Sequence, residues 1–292
     1  MNSNPIGVFD SGIGGLTAVK RLIQLLPNED VIYLGDTGRV PYGSRSRETI
    51  IKYARQDAAF LLRHGIKAMI IACNTVSSTA FDFESGFAGF TDIINTGLQP
   101  GRRNGDASRD APVPVFDVIE PPSALAAAST KNGKIGVIGT TATVRSGAYE
   151  RAIGRLLPGA EVTSAACPLF VPLAENGRTS PDDLAVMTIA RDYLARLSGS
   201  GADTVILGCT HYPLLRGAIA EILGGGVTLI DSGAATAEYA AARLGELDLR
   251  SPSPAPGVRR YFVTDDAEGF EALASRFLGS DVRGLTEQVS LE

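Results

Sequence analysis

Two short segments of the chain resemble each other, and each carries a cysteine at the same position. Residues 66–75 read Ile-Lys-Ala-Met-Ile-Ile-Ala-Cys-Asn-Thr, and residues 202–211 read Ala-Asp-Thr-Val-Ile-Leu-Gly-Cys-Thr-His. A similar pair, 6–12 and 135–141, precedes them, and both of its members begin with Ile-Gly-Val. We infer an ancient duplication that places Cys73 and Cys209 on opposite walls of one cleft. Few reactions need two opposed thiols, and the clearest is proton transfer from one face of a carbon atom to the other.

A thiol suits this chemistry because its ordinary pKa, about 8.5, is lowered by a helix N-terminus or a neighbouring cation. Cys73 and Cys209 both directly precede helix-like stretches, so we expect thiol and thiolate to be accessible near neutral pH. A single buried cysteine is more often a small core residue. That interpretation applies to Cys167, which has no partner motif.

The composition is that of a globular protein and excludes several classes. The chain has 292 residues, enough for two domains, with 44% hydrophobic and 20% charged residues. A net charge of −5, with no run of more than two Lys or Arg residues, speaks against a nucleic-acid surface. No apolar run reaches the roughly 18 residues of a membrane span, and no secretory signal is present. Three cysteines form no disulfide framework, so we expect a cytoplasmic protein with reduced thiols.

Strand-like and helix-like segments alternate along the chain, which predicts an α/β fold with mostly parallel strands. The predicted strands are 6–10, 31–35, 68–72, 113–118, 134–139, 161–165, 204–208, 227–231 and 260–264. The predicted helices are 15–26, 46–63, 123–130, 147–157, 182–197, 234–244 and 267–278. Residues 97–114 lack apolar periodicity and predict a mobile surface loop, and 250–257 predict a proline-stiffened connector.

Polar side chains follow several of these strands. Chemistry in open α/β sheets collects at the carboxyl ends of strands, so we expect the residues there to converge. The residues at such ends are Asp10, Asp36, Cys73, Thr140 and Cys209. The glycine-rich turn 12–17 lacks the last glycine of the dinucleotide fingerprint, and the chain has no Walker A motif.

Six motifs resemble, in order and spacing, those of the glutamate racemases, the cofactor-independent branch of the aspartate/glutamate racemase family. They are Asp-Ser-Gly-Ile-Gly-Gly-Leu at 10–16, Gly-Asp-Thr at 35–37, Val-Pro-Tyr-Gly at 40–43, Ala-Cys-Asn-Thr at 72–75, Val-Ile-Glu-Pro at 118–121 and Gly-Cys-Thr-His-Tyr-Pro at 208–213. The resemblance implies two similar α/β domains related by a pseudo-twofold axis, with the active site in the cleft between them. We expect a first domain of 1–117 plus 231–292 and a second domain of 118–230. No cofactor is implied.

The resemblance also implies roles for individual residues. Cys73 would deprotonate D-glutamate and Cys209 would deprotonate L-glutamate. Asp36 and Glu175 match auxiliary acids near the first and the second thiol. Tyr42 and Gly43 would hold the substrate, neutral donors would bind its carboxylates, and a histidine would tune the second thiol. The full substrate-binding set implied is Asp10, Ser11, Tyr42, Gly43, Asn74, Thr75, Thr210 and His211.

Several of these residues have plainer structural interpretations. Asp10 and Ser11 are suited to cap the following helix, and Tyr42 with Gly43 is suited to a turn after a proline. Asp36 and Glu175 have solvated or structural roles as their alternative. Cys209 and His211 have the spacing of half a metal site, but two histidines and three cysteines without C-x-x-C leave too few ligands. We therefore expect no metal.

These observations favour an enzyme that interconverts L- and D-glutamate and supplies D-glutamate for peptidoglycan. We expect a homodimer that acts on a small-molecule substrate, without nucleic-acid or membrane partners. The alternatives are a racemase of another amino acid such as aspartate, a non-catalytic amino-acid-binding protein, and a cysteine hydrolase that leaves Cys73 unexplained. The chain departs from the family pattern in a longer 83–112 segment and in Asp117 and Pro122, which stand near the domain junction where glycine is common.

Overall fold

The strands form two separate sheets in which all pairs are parallel. This computed structural model describes residues 1–80 and 113–291. Its strands are β1 Ile6–Asp10, β2 Val31–Gly35, β3 Ala68–Ile71, β4 Val115–Phe116, β5 Lys134–Gly139, β6 Glu161–Ala166, β7 Thr204–Gly208, β8 Thr228–Asp231, β9 Arg259–Val263 and β10 Thr286–Gln288. The first sheet has the order β10-β9-β2-β1-β3-β4, and the second has the order β6-β5-β7-β8. The predicted α/β class with parallel strands is confirmed.

The two sheets repeat one connectivity. In the first sheet β1 lies between β2 and β3, and β4 adjoins β3. In the second sheet β5 lies between β6 and β7, and β8 adjoins β7. Cys73 follows β3 and Cys209 follows β7, so the two thiols occupy equivalent places in the repeat. The echo between the two halves of the sequence therefore corresponds to a repeat in the structure.

Helices pack around both sheets. They are α1 Leu16–Leu25, α2 Arg47–Arg63, α3 Asn74–Ala80, α4 Glu120–Ser129, α5 Thr141–Ser146, α6 Ala148–Leu156, α7 Phe170–Glu175, α8 Leu184–Ser198, α9 Arg216–Leu223, α10 Ser232–Glu246 and α11 Ala267–Leu278. Short 3₁₀ turns lie at Thr37–Arg39, Tyr42–Ser44 and Tyr212–Leu215. Apolar residues from strands and helices fill the space on both faces of each sheet, as expected for parallel strands covered by helices.

Three helices near the carboxyl ends of the strands begin at side-chain caps. The Ser46 hydroxyl accepts the N–H of Thr49 at the start of α2, at 3.3 Å. Thr140 caps α5 at 3.2 Å, and Asp231 caps α10 at 3.0 Å. Because a cap satisfies a backbone donor that the helix leaves open, these residues fix where each helix starts.

The predicted elements match the structure except in short segments. All nine predicted strands and seven predicted helices are present, with ends shifted by a few residues. The sequence did not indicate β10, a three-residue polar edge strand, or the short helices α5 and α7. The expectation that Cys209 directly precedes a helix was wrong, because a 3₁₀ turn intervenes before α9. The predicted loop 97–114 lies outside the described residues, apart from its last two positions.

The chain passes from the first sheet to the second through a capped turn. Asp117 is buried there, and its Oδ1 accepts the N–H groups of Ile119 at 2.6 Å and Glu120 at 3.0 Å. Its backbone carbonyl accepts a hydrogen bond from the Thr236 hydroxyl at 3.0 Å. The Asp117 carboxylate therefore caps the start of α4, which glycine could not do, while its backbone carbonyl joins the turn to α10.

The carboxyl ends of the two sheets meet at the turn that follows β1. A Cβ atom added to Gly14 would overlap the Thr210 hydroxyl and lie 2.6 Å from Nδ1 of His211. Glycine at this position lets the turn after β1 pack directly on the residues that follow β7. The absence of a side chain is thus a condition for the contact between the two sheets.

Gly14→Ala is expected to lower the free energy of unfolding by about 1–3 kcal/mol, because Thr210 and His211 must move to admit the methyl group. Gly225→Ala is the matched control, since its Cβ meets nothing within 4 Å, and its stability should be unchanged or slightly raised. Urea denaturation of the two variants provides the measurement. Equal stability of both variants would contradict the tight packing of this turn.

Candidate active site

The turn after β1 holds a buried carboxylate. Asp10 is 1% exposed, and its Oδ2 accepts the backbone N–H of Gly12 at 3.1 Å. Its Oδ1 is buried and has no hydrogen-bond partner among the described residues. Burial raises the pKa of Asp10, while the nearby His211 and backbone N–H groups oppose that rise. The turn therefore offers one open acceptor atom in a site shielded from water.

Cys73 stands between β3 and α3, and it lies beside this turn. Its thiol is buried and donates to the Ser11 hydroxyl, with Sγ and Oγ 3.3 Å apart. Burial and the charge of Asp10 raise the pKa of Cys73 to about 12. The expectation of a lowered pKa is wrong for Cys73 in this form of the site, because desolvation outweighs the seven-residue helix α3.

Cys209 is the first member of a chain of three polar groups. Its Sγ lies 4.0 Å from Nδ1 of His211, and Nε2 of His211 lies 2.9 Å from Oε1 of Glu175 at the end of α7. Burial alone would lower the pKa of His211, but its hydrogen bonds with Cys209 and Glu175 raise it to about 10. An imidazolium at neutral pH therefore lies between the second thiol and a carboxylate. Glu175 thus contacts His211, the neighbour of the second thiol, and the auxiliary role that the resemblance implies for it stays a prediction.

The polar residues around Cys73 also connect the two sheets. The Thr75 and Thr140 hydroxyl oxygens are 3.2 Å apart. The amide of Asn74 donates to Ser232 at 3.2 Å and accepts from Tyr149 at 2.7 Å. Thus Asn74 and Thr75, predicted as substrate donors, already make hydrogen bonds across the junction. Tyr149 and Ser232 were not indicated by the sequence, since neither belongs to a motif of its own.

The Tyr42 hydroxyl lies in a buried polar cluster. It contacts Oδ2 of Asp36 and lies 3.1 Å from Oδ2 of Asp57, and the residue is 1% exposed. Asp36 thus lies behind Tyr42, and within the described part of the chain its carboxylate forms no hydrogen bond with Cys73. Gly43 faces the second sheet, where an added Cβ would lie 3.4 Å from Cβ of Thr140.

Asp57 was not identified as a functional residue from the sequence. A signal was available, because Asp57 shares the buried face of α2 with Ala54, Ala58 and Leu61. A charged residue on an otherwise apolar helix face is rarely buried without a partner.

A cavity of about 760 Å³ opens beside Gly43, between the start of α2 and the helices α5 and α6. Its wall includes arginines from both sides, which are Arg45, Arg47, Arg145 and Arg151. Neither thiol lines it, so it lies outside the immediate surroundings of the cysteines. Its charge favours anions over neutral molecules near the junction of the two sheets.

The turn after β1 brings together two segments, which we call the cysteine arms. They are Cys73 with the residues after it and Cys209 with Thr210 and His211. Ser11 contacts Cys73, Gly14 packs on Thr210 and His211, and the charge of Asp10 acts on Cys73 and His211. Cys167 is buried away from this turn in the second sheet's core, and its Sγ faces the carbonyl of Ala165 at 3.7 Å. Acid–base chemistry by two thiols is what this arrangement can perform.

The described residues contain neither a metal-binding cluster nor a membrane-spanning helix. Among residues 1–80 and 113–291, no group of three or more His, Cys, Asp or Glu side chains is placed to hold a metal ion. Across the same ranges, every helix is too short or too polar to span a bilayer.

Comparisons with known proteins agree with the geometry. The family described as Asp/Glu/Hydantoin racemase matches residues 104–240. A glutamate racemase of Geobacter metallireducens is 46% identical over 98% of this chain and 97% of its own. One of Chlorobaculum tepidum is 43% identical over 96% of this chain and 94% of its own.

The structural comparison extends over the whole chain. A crystal structure of glutamate racemase from Francisella tularensis in complex with D-glutamate has a TM-score of 0.84 and 39% identity. The similarity covers 100% of this chain and 99% of that one. With identities above 40% over nearly the full length, the chain is an isomerase that belongs to the glutamate racemase family.

Proposed function

We propose that the chain interconverts L- and D-glutamate by proton transfer between two cysteines, without a cofactor. The observation that carries this proposal is the single turn, residues 10–15, that contacts both cysteine arms. Relatives named glutamate racemase, and the D-glutamate bound to the Francisella protein, support glutamate as the substrate.

The proposed step breaks one C–H bond and forms another. With L-glutamate, the Cys209 thiolate removes the Cα proton, and the Cys73 thiol delivers its own proton to the opposite face. With D-glutamate, the two thiols exchange roles. No electrons are transferred to an acceptor, so the step balances without an oxidant or a reductant. After each turnover the protonation states of the two thiols are reversed.

The two arms are suited to these starting states. His211 lies beside Cys209, and its hydrogen bond with Glu175 holds the imidazole in place. The high pKa of Cys73, about 12, favours its thiol form. The enzyme as described is therefore prepared to receive L-glutamate. The opposite protonation state would receive the D-isomer.

We propose that the open Oδ1 of Asp10 accepts the substrate ammonium group. Neutral donors, Asn74, Thr75 and Thr210, are positioned near the thiols to bind the carboxylates, with Ser11 beside Cys73. The Tyr42–Gly43 turn would border the substrate on the side of Thr140. Backbone N–H groups and hydroxyls bind a dianion here without an arginine clamp.

The biological role, the compartment, the oligomeric state and the domain bounds are further proposals. We propose that the product D-glutamate is used for peptidoglycan, that the protein works in the cytoplasm, and that it forms a homodimer. Three free cysteines are consistent with a reducing compartment. We also propose the domains 1–117 plus 231–292 and 118–230, which follow the division of the strands into two sheets with Asp231 at the edge of the second.

The alternatives explain less of the structure. A cysteine hydrolase would use Cys209 and His211, but it gives no role to Cys73 and its contact with Ser11. A non-catalytic binding protein needs neither thiol. An aspartate racemase would use the same two arms, so substrate comparison is the direct test.

Purified protein is expected to abolish the optical activity of L-glutamate in the absence of metal ions and pyridoxal phosphate. L-Aspartate should react far more slowly, because its side-chain carboxylate is one methylene closer to Cα and does not reach the same donors. Circular dichroism of the two amino acids under identical conditions is the measurement. Faster loss of the aspartate signal would assign the chain to the other racemase.

Cys73→Ala and Cys209→Ala should each lower the racemisation rate about 10²–10⁴-fold or more, because either change removes an acid–base group from one face. Cys167→Ser is the control in the core, and its activity should stay within a few-fold, apart from a loss of stability. Initial rates are compared after far-ultraviolet circular dichroism has established that each variant folds. A folded Cys167→Ser variant without activity would overturn the assignment.

Isotope incorporation tests the opposed geometry itself. With protiated L-glutamate in heavy water, the D-glutamate formed first should carry deuterium at Cα, because Cys73 delivers a solvent-exchanged proton. The remaining L-glutamate should stay mostly protiated, and D-glutamate as the starting material should give the mirror pattern. Mass spectrometry of the separated enantiomers in the first few per cent of reaction distinguishes this from one mobile base, which would return original hydrogen or label both enantiomers at once.

A further inference from the structure

Three oxygen atoms meet behind the Tyr42–Gly43 turn. The Tyr42 hydroxyl contacts Oδ2 of Asp36 on one side and lies 3.1 Å from Oδ2 of Asp57 on the other. A phenol has one proton and donates one hydrogen bond. One of the two carboxyl groups must therefore supply the proton for the second contact, or an acceptor would face an acceptor inside the protein.

The remaining contacts decide which carboxyl group carries that proton. Asp36 accepts from Nε of Arg39 at 2.6 Å and from the Thr264 hydroxyl at 2.9 Å, so donors reach both of its oxygens. Among the described residues, Asp57 accepts only from Nη2 of Arg39, at 3.1 Å, besides its contact with Tyr42. The hydrogen-bond donors around Asp36 can therefore stabilise a negative charge on both of its oxygens, whereas those around Asp57 cannot.

The surrounding charges agree with this arrangement. Asp57 is fully buried, and the charged or titratable groups that act on it are Asp36, Arg39, Tyr42 and, more weakly, Asp10. Burial and the charge of Asp36 raise the pKa of Asp57 well above its usual value, although Arg39 opposes the shift. One guanidinium faces two carboxyl groups, which leaves one of them to be neutralised by a proton.

We propose that Asp57 is a positioning residue that donates its proton to the Tyr42 oxygen while Tyr42 donates to Asp36. This relay fixes the Tyr42–Gly43 turn against Thr140, which is bonded to Thr75 beside Cys73. The proposal that Asp57 is protonated does not depend on the proposed enzymatic activity. Its consequence for substrate binding rests on the proposed function.

The stability of Asp57→Asn tests the proton directly. The amide mimics the neutral acid, since its N–H₂ can donate to Tyr42 and its oxygen can accept from Arg39. A folded-state pKa above the unfolded value of about 3.9 means that wild-type protein loses stability as pH rises from there toward the folded pKa. The melting temperature of Asp57→Asn, relative to wild type, should therefore rise between pH 5 and pH 8.

Asp183→Asn is the matched control with the opposite sign. Asp183 is ion-paired with Arg178 at 2.7 Å, and this hydrogen bond lowers its pKa against a small opposing effect of burial. Its stability contribution is fully present above the unfolded pKa, so the melting temperature of Asp183→Asn should lie below that of wild type by a constant amount between pH 5 and pH 8. Asp57→Asn behaving like Asp183→Asn would overturn the proposal, because an ionised Asp57 paired with Arg39 predicts that result.

Kinetics then test the positioning role. Asp57→Asn should keep KM and kcat for glutamate within about twofold of wild type, whereas Asp57→Ala, which leaves Tyr42 without its donor, should raise KM about tenfold. As pH rises, the KM of wild type should increase more steeply than that of Asp57→Asn, because only wild type has a carboxyl group at this position that can ionise. Equal KM values for the Ala and Asn variants would refute positioning. An inactive wild-type protein would instead refute the proposed function and leave the stability test valid.

Discussion

The site depends on the close packing of one turn against residues from both sheets. The turn after β1 has no side chain at Gly14, where a methyl group would overlap Thr210, and Tyr33 holds it by donating to the carbonyl of Gly12 at 2.7 Å. Through this turn Asp10 acts on the charges of both cysteine arms. A bulkier turn would separate the sheets and leave each cysteine with only its local neighbours.

Burial affects the two arms in different ways. At Cys73 the neighbours are a hydroxyl and a buried carboxylate, and desolvation raises the thiol pKa. At Cys209 the neighbour is a histidine whose proton is held by two partners against the cost of burial. A low-dielectric site strengthens both effects, because neither charge is screened by water. The repeated backbone therefore places Cys73 and Cys209 in two different electrostatic environments.

The sequence predicted what depends on local pattern and failed where distant side chains meet. The strands and the paired cysteines could be predicted from the sequence, because apolar runs and the internal repeat can be recognised within segments of about ten residues. The resemblance supplied Glu175 as a partner for the second thiol, and the structure places it on His211. Asp57 and Tyr149 were missed, since their partners come from other elements and no periodicity encodes them. The pKa of Cys73 was misjudged for the same reason, because its burial comes from tertiary packing.

An asymmetric pair of arms is compatible with a symmetric reaction. The equilibrium constant between the free enantiomers in solution is one, so a catalyst with unequal arms cannot favour one product at equilibrium. The unequal arms determine which thiol is protonated in the free protein. That protonation state determines which enantiomer can react on binding. The high pKa of Cys73 favours the form in which this thiol keeps its proton. Return to this form after each L-to-D turnover needs proton exchange between the thiols and solvent, and on the His211 side the hydrogen-bonded Glu175 side chain is 40% exposed.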